Sequence, residues 1–539
     1  MTSHLRFSVL AVVCLGLLGA PAQAQSFRVQ CPATTALHPG LCAGGAQAAQ
    51  TCVATADCPG SVCAPVGPID GHPGQIKCQH IGGGDGFATM GDGTQIYLFA
   101  FSPLSGLADI QAGLPGTQTA DVFNAGYVGP SFSSSGTPVC LGGANQGEPC
   151  ATLADCPDSS ARASCRLRGS NVADAPGNGA VTEPAGIMNM GILAGNAPAP
   201  LMAIDEDDEF FLTLSNPGMI MRPDLFEQHT VHFHGYPNAS PYFDGVPDSS
   251  VAINIAGSFT YYYTAPDPGT YFWHCHITPP EHLQMGMVGQ LYVRPRQNRL
   301  TSAQSLRDAL IAGNRKAAVD PTATGLTCSD LLCTGQTPAP PPNPATGGGR
   351  YAYNDGDGST RYDVEYPLQM MGFDPNFHYV GMTFNPEAFA DMKDKYFLLS
   401  GRSYPDTVNP GVISTLSADG VSRPSQPLPS LITINKSAGQ TRALLRISDL
   451  SVTEFTTLGT IGIPMTVIAQ NARLLRDLAG NNLAYQTNSI TLGGGESADV
   501  ILDATSVPNG TYFLYSTNLD HLSNDAENFG GMMTEIRVF

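Results

Sequence analysis

The chain has 539 residues, 42% of them hydrophobic, and its 25 basic against 45 acidic residues give a formal net charge of −20. A surface so acidic excludes nucleic acid as an expected partner, and the length implies two or more domains. The 60 glycines and 43 prolines, with short β-branched and aromatic runs between them, favour an all-β protein over a helical one.

Residues 1–24 read as a secretory signal peptide, with Arg6 before the apolar run FSVLAVVCLGLLGA and the small-residue site Ala22-Gln23-Ala24. No later apolar run approaches the roughly 18 to 20 residues of a membrane span. The expected location is periplasmic or secreted.

A Cys-rich segment follows over 25–85. Its spacing Cys42-x9-Cys52-x5-Cys58-Pro, closed by Cys63, returns as Cys140-x9-Cys150-x5-Cys156-Pro, closed by Cys165. In an oxidising compartment each set reads as a small module stapled by two bridges, with connectivity open. The second module, at about 137–168, reads as a surface insertion. Cys31 with Cys78 and Cys328 with Cys333 complete the pairs, and Cys275 is left over. A lone thiol in an exported protein needs a reason, and metal ligation is one.

Over 86–296 the strand-like pieces are TQIYLFAFS, PLMAIDEDDEFFLTLSN, HTVHFHG, SFTYYYTA, GTYFWHC and GQLYVRP, which read as an antiparallel sandwich. The acidic run Asp205-Glu206-Asp207-Asp208-Glu209 reads as a solvated turn. Residues 297–350 carry a helical pattern at 301–319 and the linker TPAPPPNPATGGG from Thr337. Over 351–539 a second strand set runs through KYFLLSG, TRALLRISD, IPMTVIAQ, SADVILD, GTYFLYS and TEIRVF. The frame Gly-Thr-Tyr-Phe opens both GTYFWHCH and GTYFLYST, so the second block repeats the first without its His-Cys-His.

Six of the 12 histidines fall between His229 and His282. Side chains two apart on a strand share a face. His232 and His234 therefore point one way and His229 the other, while His274 and His276 oppose Cys275. One packing places His229 and Cys275 inside the sandwich, with His282 and Met287 returning in a loop to join them. Two imidazoles, a thiolate and a weak thioether are a blue-copper ligand set, whereas structural zinc favours four strong ligands. Met285 is the alternative to Met287. Trp273 is expected to pack beside the outward pair, and His378 and His521 to be solvated or hydrogen-bonded.

The motifs His229-x-x-His232-x-His234-Gly235 and His274-Cys275-His276…His282-x-x-x-Gly286-Met287 resemble those of the multicopper oxidases. That family has the cupredoxin fold and includes laccases and, more distantly, copper nitrite reductases. The resemblance covers roughly 190–295 and 360–539. It implies two cupredoxin-like Greek-key β-sandwich domains, with a type 1 copper on His229, Cys275, His282 and Met287. It also implies a type 2/type 3 copper site on His232, His234, His274 and His276, where dioxygen is reduced with electrons from a small-molecule or metal-ion donor.

Two departures stand out. Five residues, ITPPE, separate His276 from His282 where the family has three. A complete trinuclear cluster in the family takes four further histidines from a facing domain, and the second block offers Tyr515 and Thr517 instead. Another subunit, as in a homotrimer, or a larger copper-protein assembly would have to complete it. A nitrite-reductase-like enzyme and a non-enzymatic copper-binding carrier are the alternatives.

Overall fold

A computed structural model describes residues 27–65, 74–129, 139–141, 145, 150, 153–155, 164–166, 177–236, 240–265, 267–299, 350–355, 357–383, 388–477 and 480–539. The signal peptide, the 301–319 helix, the linker from Thr337, the Cys328–Cys333 pair, His72 and most of the second Cys module lie outside these residues.

The first half stacks two sheets. One runs in the order Gly257–Thr264, Glu209–Gly218, Ile76–Thr89, Gln95–Pro103; the other in the order His232–Phe233, Gly269–His274, Val288–Arg294, Met202–Asp205. Alternate residues from both enter one core, among them Phe99, Phe101, Phe210, Leu212, Leu214, Tyr271, Trp273, Leu291 and Val293. The sheets are mixed and not purely antiparallel. Glu209–Gly218 pairs parallel to Ile76–Thr89, and Val288–Arg294 parallel to Met202–Asp205, because the chain crosses between sheets. Strand Ile76–Thr89 also spans the boundary expected at 85, and Cys78 within it holds the N-terminal segment through a bridge to Cys31.

The second half repeats this order. Ser497–Asp503, Arg442–Asp449, Val364–Phe373 and Tyr396–Leu399 lie side by side in one sheet; Thr456–Ile461, Gly510–Ser516, Met533–Val538 and Ile432–Ile434 do so in the other. Its two parallel pairs fall at the corresponding places.

The four-stranded sheet of the first half packs on the larger sheet of the second through buried polar contacts. Thr270 Oγ1 donates to Asp499 at 2.6 Å, and Gln290 Nε2 donates to the Arg446 carbonyl at 3.0 Å and to Ser448 at 2.8 Å. Arg446 is fully buried between Glu365 (3.0 Å) and Asp499 (3.7 Å). Buried charges persist only when paired in this way.

The acidic run is not a solvated turn. Glu206, Asp207, Asp208 and Glu209 are all buried. Arg296 Nε donates to Asp207 at 2.7 Å, and the Arg296 and Asn354 nitrogens donate to Glu206 at 2.7 Å. Asp208 accepts the Asp205 and Gln75 amides at 2.8 Å, while Glu209 meets His38 Nδ1 at 2.5 Å and accepts from the Tyr262 hydroxyl at 2.6 Å. The run pins the N-terminal segment and the strand that follows it.

The first Cys module is bridged Cys42–Cys58 and Cys52–Cys63. In the second, strands Val139–Leu141 and Ser164–Arg166 pair with Cys140 opposite Cys165, as Cys42 lies opposite Cys63. Non-reducing peptide mapping should therefore recover Cys140–Cys156 and Cys150–Cys165. A second expectation concerns pH. Burial pushes Glu206 up to about 7 against the pull of Arg296. A raised carboxyl contributes stability below its unfolded value, and that contribution is lost as pH rises through 7. Melting temperature should fall between pH 5 and 8, and Glu206→Gln should remove part of that fall, on the order of 3 kcal/mol.

Candidate metal centre

The alternation of two neighbouring strands separates the donors into two groups. His232 lies directly opposite His274, and Phe233 opposite Trp273. Phe233, Trp273 and Cys275 enter the core. Trp273 thus packs on Phe101 and Phe233, beneath the sheet and away from the outward histidines.

The inner group is His229, Cys275 and His282, all fully buried. Cys275 is the free cysteine among the described residues, and its sulfur lies 3.2 Å from His282 Nδ1 and 4.0 Å from His229 Nδ1. Strand-like bonds between His229 and Ile253 fix the first ring's backbone, and the Cδ2 edge of the ring is cradled at Gly83, where a Cβ would come within 2.6 Å. The ITPPE stretch does not form a plain loop. Pro279–Gln284 is a short helix, begun by the proline pair, that carries His282. Gln284 ties it to the second half, donating to Asp394 at 2.8 Å and accepting the Asp374 amide at 3.1 Å. The Met287 carbonyl accepts the Cys275 amide and the Met287 amide donates to the His282 carbonyl. Met285 and Met287 are both fully buried in the same core.

Two residues at this group escaped sequence reasoning. The Thr230 amide donates to the Cys275 sulfur at 3.4 Å, and its hydroxyl accepts the His276 amide at 2.9 Å, so one threonine braces both strands. Glu227 stands 3.4 Å from His282 Nε2 with its side chain 21% exposed, between that ring and solvent. The signal for Glu227 was its place two residues before His229, on the same face. Burial would push the Cys275 thiol up, but His282 and His229 hold it well below its ordinary value. That lowering favours the thiolate, the form that binds metal.

The outer group is His232, His234, His274 and His276, whose ring centroids lie 4.9 to 5.4 Å apart in five pairs. His234 Nε2 and His274 Nε2 approach to 3.1 Å. His232 Nδ1 donates to the Asp244 carbonyl and His274 Nδ1 to the Cys275 carbonyl, each at 2.7 Å, which leaves each Nε2 with the lone pair a metal would take. Burial lowers His232 and His274 and brings His234 down to about 4, which keeps these rings neutral.

Strand register shows what the second half kept. Gly459 lies opposite Tyr515 and Leu458 opposite Ser516. Counting from that register, Glu454, Thr456, Gly459 and Ile461 stand where Glu227, His229, His232 and His234 stand in the first half. Tyr515, Ser516 and Thr517 replace His274, Cys275 and His276. The Ser516 amide donates to the Met532 carbonyl and the Met532 amide to the His521 carbonyl, as in the Cys275–Met287–His282 circuit. Ser516 Oγ meets His521 Nδ1 at 3.1 Å, and His521 Nε2 meets Glu454 at 2.9 Å. His521 is therefore buried and hydrogen-bonded, and so is His378, whose Nδ1 donates to the Tyr97 carbonyl.

Residues 177–297 match the multicopper oxidase family profile. That segment belongs to the multicopper oxidase family. A laccase of Ustilaginoidea virens is 33% identical over 133 residues, 24% of this chain and 19% of the laccase. The multicopper oxidase MmcO of Mycobacterium tuberculosis is 32% identical over 80 residues, 15% of this chain and 14% of that protein. The chain spans about a fifth or less of the length of the curated relatives it matches. Among solved structures, a blue copper oxidase from Nitrosomonas europaea is 20% identical, with 65% of this chain and 79% of that chain covered and a TM-score of 0.42. The multicopper oxidase segment holds every residue of both donor groups. Multicopper oxidases bind copper, and the donors present fit that metal. A buried cysteine sulfur faces two imidazole Nδ1 atoms, and His229 Nε2 has no hydrogen-bond partner of its own.

If the second half is the same centre with oxygen in place of sulfur, the double variant Thr456→His, Ser516→Cys should bind one additional copper with a thiolate absorption band. Metal analysis and the visible spectrum, compared with the parent, check this.

Proposed function

We propose that this protein is an exported, copper-dependent oxidoreductase of the multicopper oxidase type, taking electrons from a phenolic or metal-ion donor and delivering them to dioxygen. The observation that carries the reading is the joining of the two donor groups through one residue. The Cys275 sulfur belongs to the inner group, and its chain neighbours His274 and His276 belong to the outer one. Copper would supply one-electron redox chemistry at both places, with His229, Cys275, His282 and Met287 holding one ion and His232, His234, His274 and His276 holding the other metal.

The chain's own residues do the rest. Burial keeps water from Cys275 and His229. The Thr230 amide fixes the sulfur, and the Glu227 carboxylate stands within ion-pair distance of His282 Nε2 while reaching solvent, which makes that edge the place for a donor to dock. Phe226 beside it is 84% exposed and offers an apolar contact. The outer face is where dioxygen would be met. Three bridges among the described residues support an oxidising compartment, and no helix among those residues is long and apolar enough to cross a membrane.

The test is dioxygen uptake by the copper-loaded protein with a phenol or Fe(II) as donor. His276→Ala should abolish uptake while the blue colour stays; loss of neither would contradict the assignment of the outer group. Glu227→Gln should slow reduction of the inner centre about tenfold, as removal of a carboxylate beside a ligating imidazole commonly does. Stopped-flow bleaching of the blue band measures it.

A further inference from the structure

Strand Ile76–Thr89 carries a carboxylate into the first core. Asp85 is fully buried and lies opposite Phe99, two places along from Gly83, which lies opposite Phe101. Gly83, Asp85 and Phe99 therefore face the same way. Gly83 abuts the His229 ring, and Phe99 meets the His282 ring edge-on with centroids 6.0 Å apart. The two strands that back both inner imidazoles thus bring an acidic side chain to the same side.

The donors to Asp85 are all neutral. The buried Tyr97 hydroxyl donates to Oδ1, and the amides of Ile220 and Met221 both donate to Oδ2, the second at 3.0 Å. Burial raises the carboxyl above its ordinary value, while these donors and nearby His229 pull it back. The donors therefore offset only part of the cost of burying a charge. A cation held at His229 would offset more of it. Ile220 and Met221 also open the segment that leads from strand Glu209–Gly218 to His229. Met219 beside them packs in the same core as Cys275, and the far end is held by Asn216 Nδ2, which donates to the Glu227 carbonyl at 2.8 Å.

We propose that Asp85 is the buried counter-charge of the inner centre, a positioning residue whose carboxylate favours the oxidised state of copper there and pins the segment entering His229. This rests on the copper reading above. With one thiolate among its ligands, the site is cationic when the copper is cupric and neutral when it is cuprous. A fixed negative charge close by stabilises the first state and does nothing for the second. Glu227 is charged too, but it reaches solvent, which screens it. Asp85 lies inside the core, where screening is weak.

The midpoint potential of the blue copper, followed by its colour during a redox titration of the loaded protein, tests this in Asp85→Asn and Tyr97→Phe. Neither variant alters a proposed ligand. The Asn side chain can still accept both backbone amides and donate to the Tyr97 oxygen, so chiefly the charge is lost. Asp85→Asn should favour the reduced state about tenfold, a rise of about 59 mV for a one-electron couple. Tyr97→Phe keeps the charge and removes a donor that partly neutralises it, so its potential should fall below the parent's. Simple loosening of the site would move both variants in the same direction. A blue Asp85→Asn protein with an unchanged or lowered potential overturns the proposal and leaves the functional reading standing. If that variant does not fold, a Tyr97→Phe potential at or above the parent's does the same. A parent that takes up copper without a blue band sinks both.

Discussion

Everything at this centre depends on the strict two-residue alternation of strand Gly269–His274 as it runs on through Cys275 and His276. A sulfur can be buried among apolar rings while its neighbours on either side stand outward only because successive β side chains face opposite ways. The partner strand obeys the same rule, with His229 directed inward and His232 and His234 outward. Two donor groups of different chemistry are thereby built within one covalent span, without a separate linker between them. A shift of one residue in pairing would exchange the two sets and bury imidazoles where the thiolate belongs. The register is held by Thr230, which bonds both the sulfur and the His276 amide, and by the Met287 circuit around Cys275.

The second half shows how much of such a centre is scaffold. The strand order, both parallel pairs and the Ser516–Met532–His521 backbone circuit persist without the sulfur. With oxygen at position 516 and no imidazole at 456, the remaining ring is satisfied by hydrogen bonds to Ser516 and Glu454. Buried polar groups must find partners, and here the partners are the counterparts of Cys275 and Glu227 in the other half. What this half supplies now is support. Its Asp374 and Asp394 hold the helix that carries His282, and its Arg446–Asp499 network anchors strand Gly269–His274.

The legible part of the sequence was the part governed by local geometry. Strand periodicity separated inner from outer histidines, and odd cysteine counting singled out Cys275. What escaped depended on long-range partners. The run Asp205–Glu209 reads as solvent-exposed by composition, yet Arg296, Asn354 and His38, distant in the chain, allow it to be buried. The pairs Glu209–Gly218 with Ile76–Thr89 and Val288–Arg294 with Met202–Asp205 are parallel through sheet crossings that no local pattern encodes. The proline pair before Glu281 could have opened a loop or a helix, and the docking of Gln284 on the second half favours the helix.

The account stands on the bond between the Cys275 sulfur and a cupric ion, so copper K-edge X-ray absorption of the loaded protein tests it most directly. A single short sulfur contact alongside nitrogen neighbours, absent from Cys275→Ser, is the predicted result. A first coordination sphere of nitrogen and oxygen alone, unchanged in that variant, would contradict it.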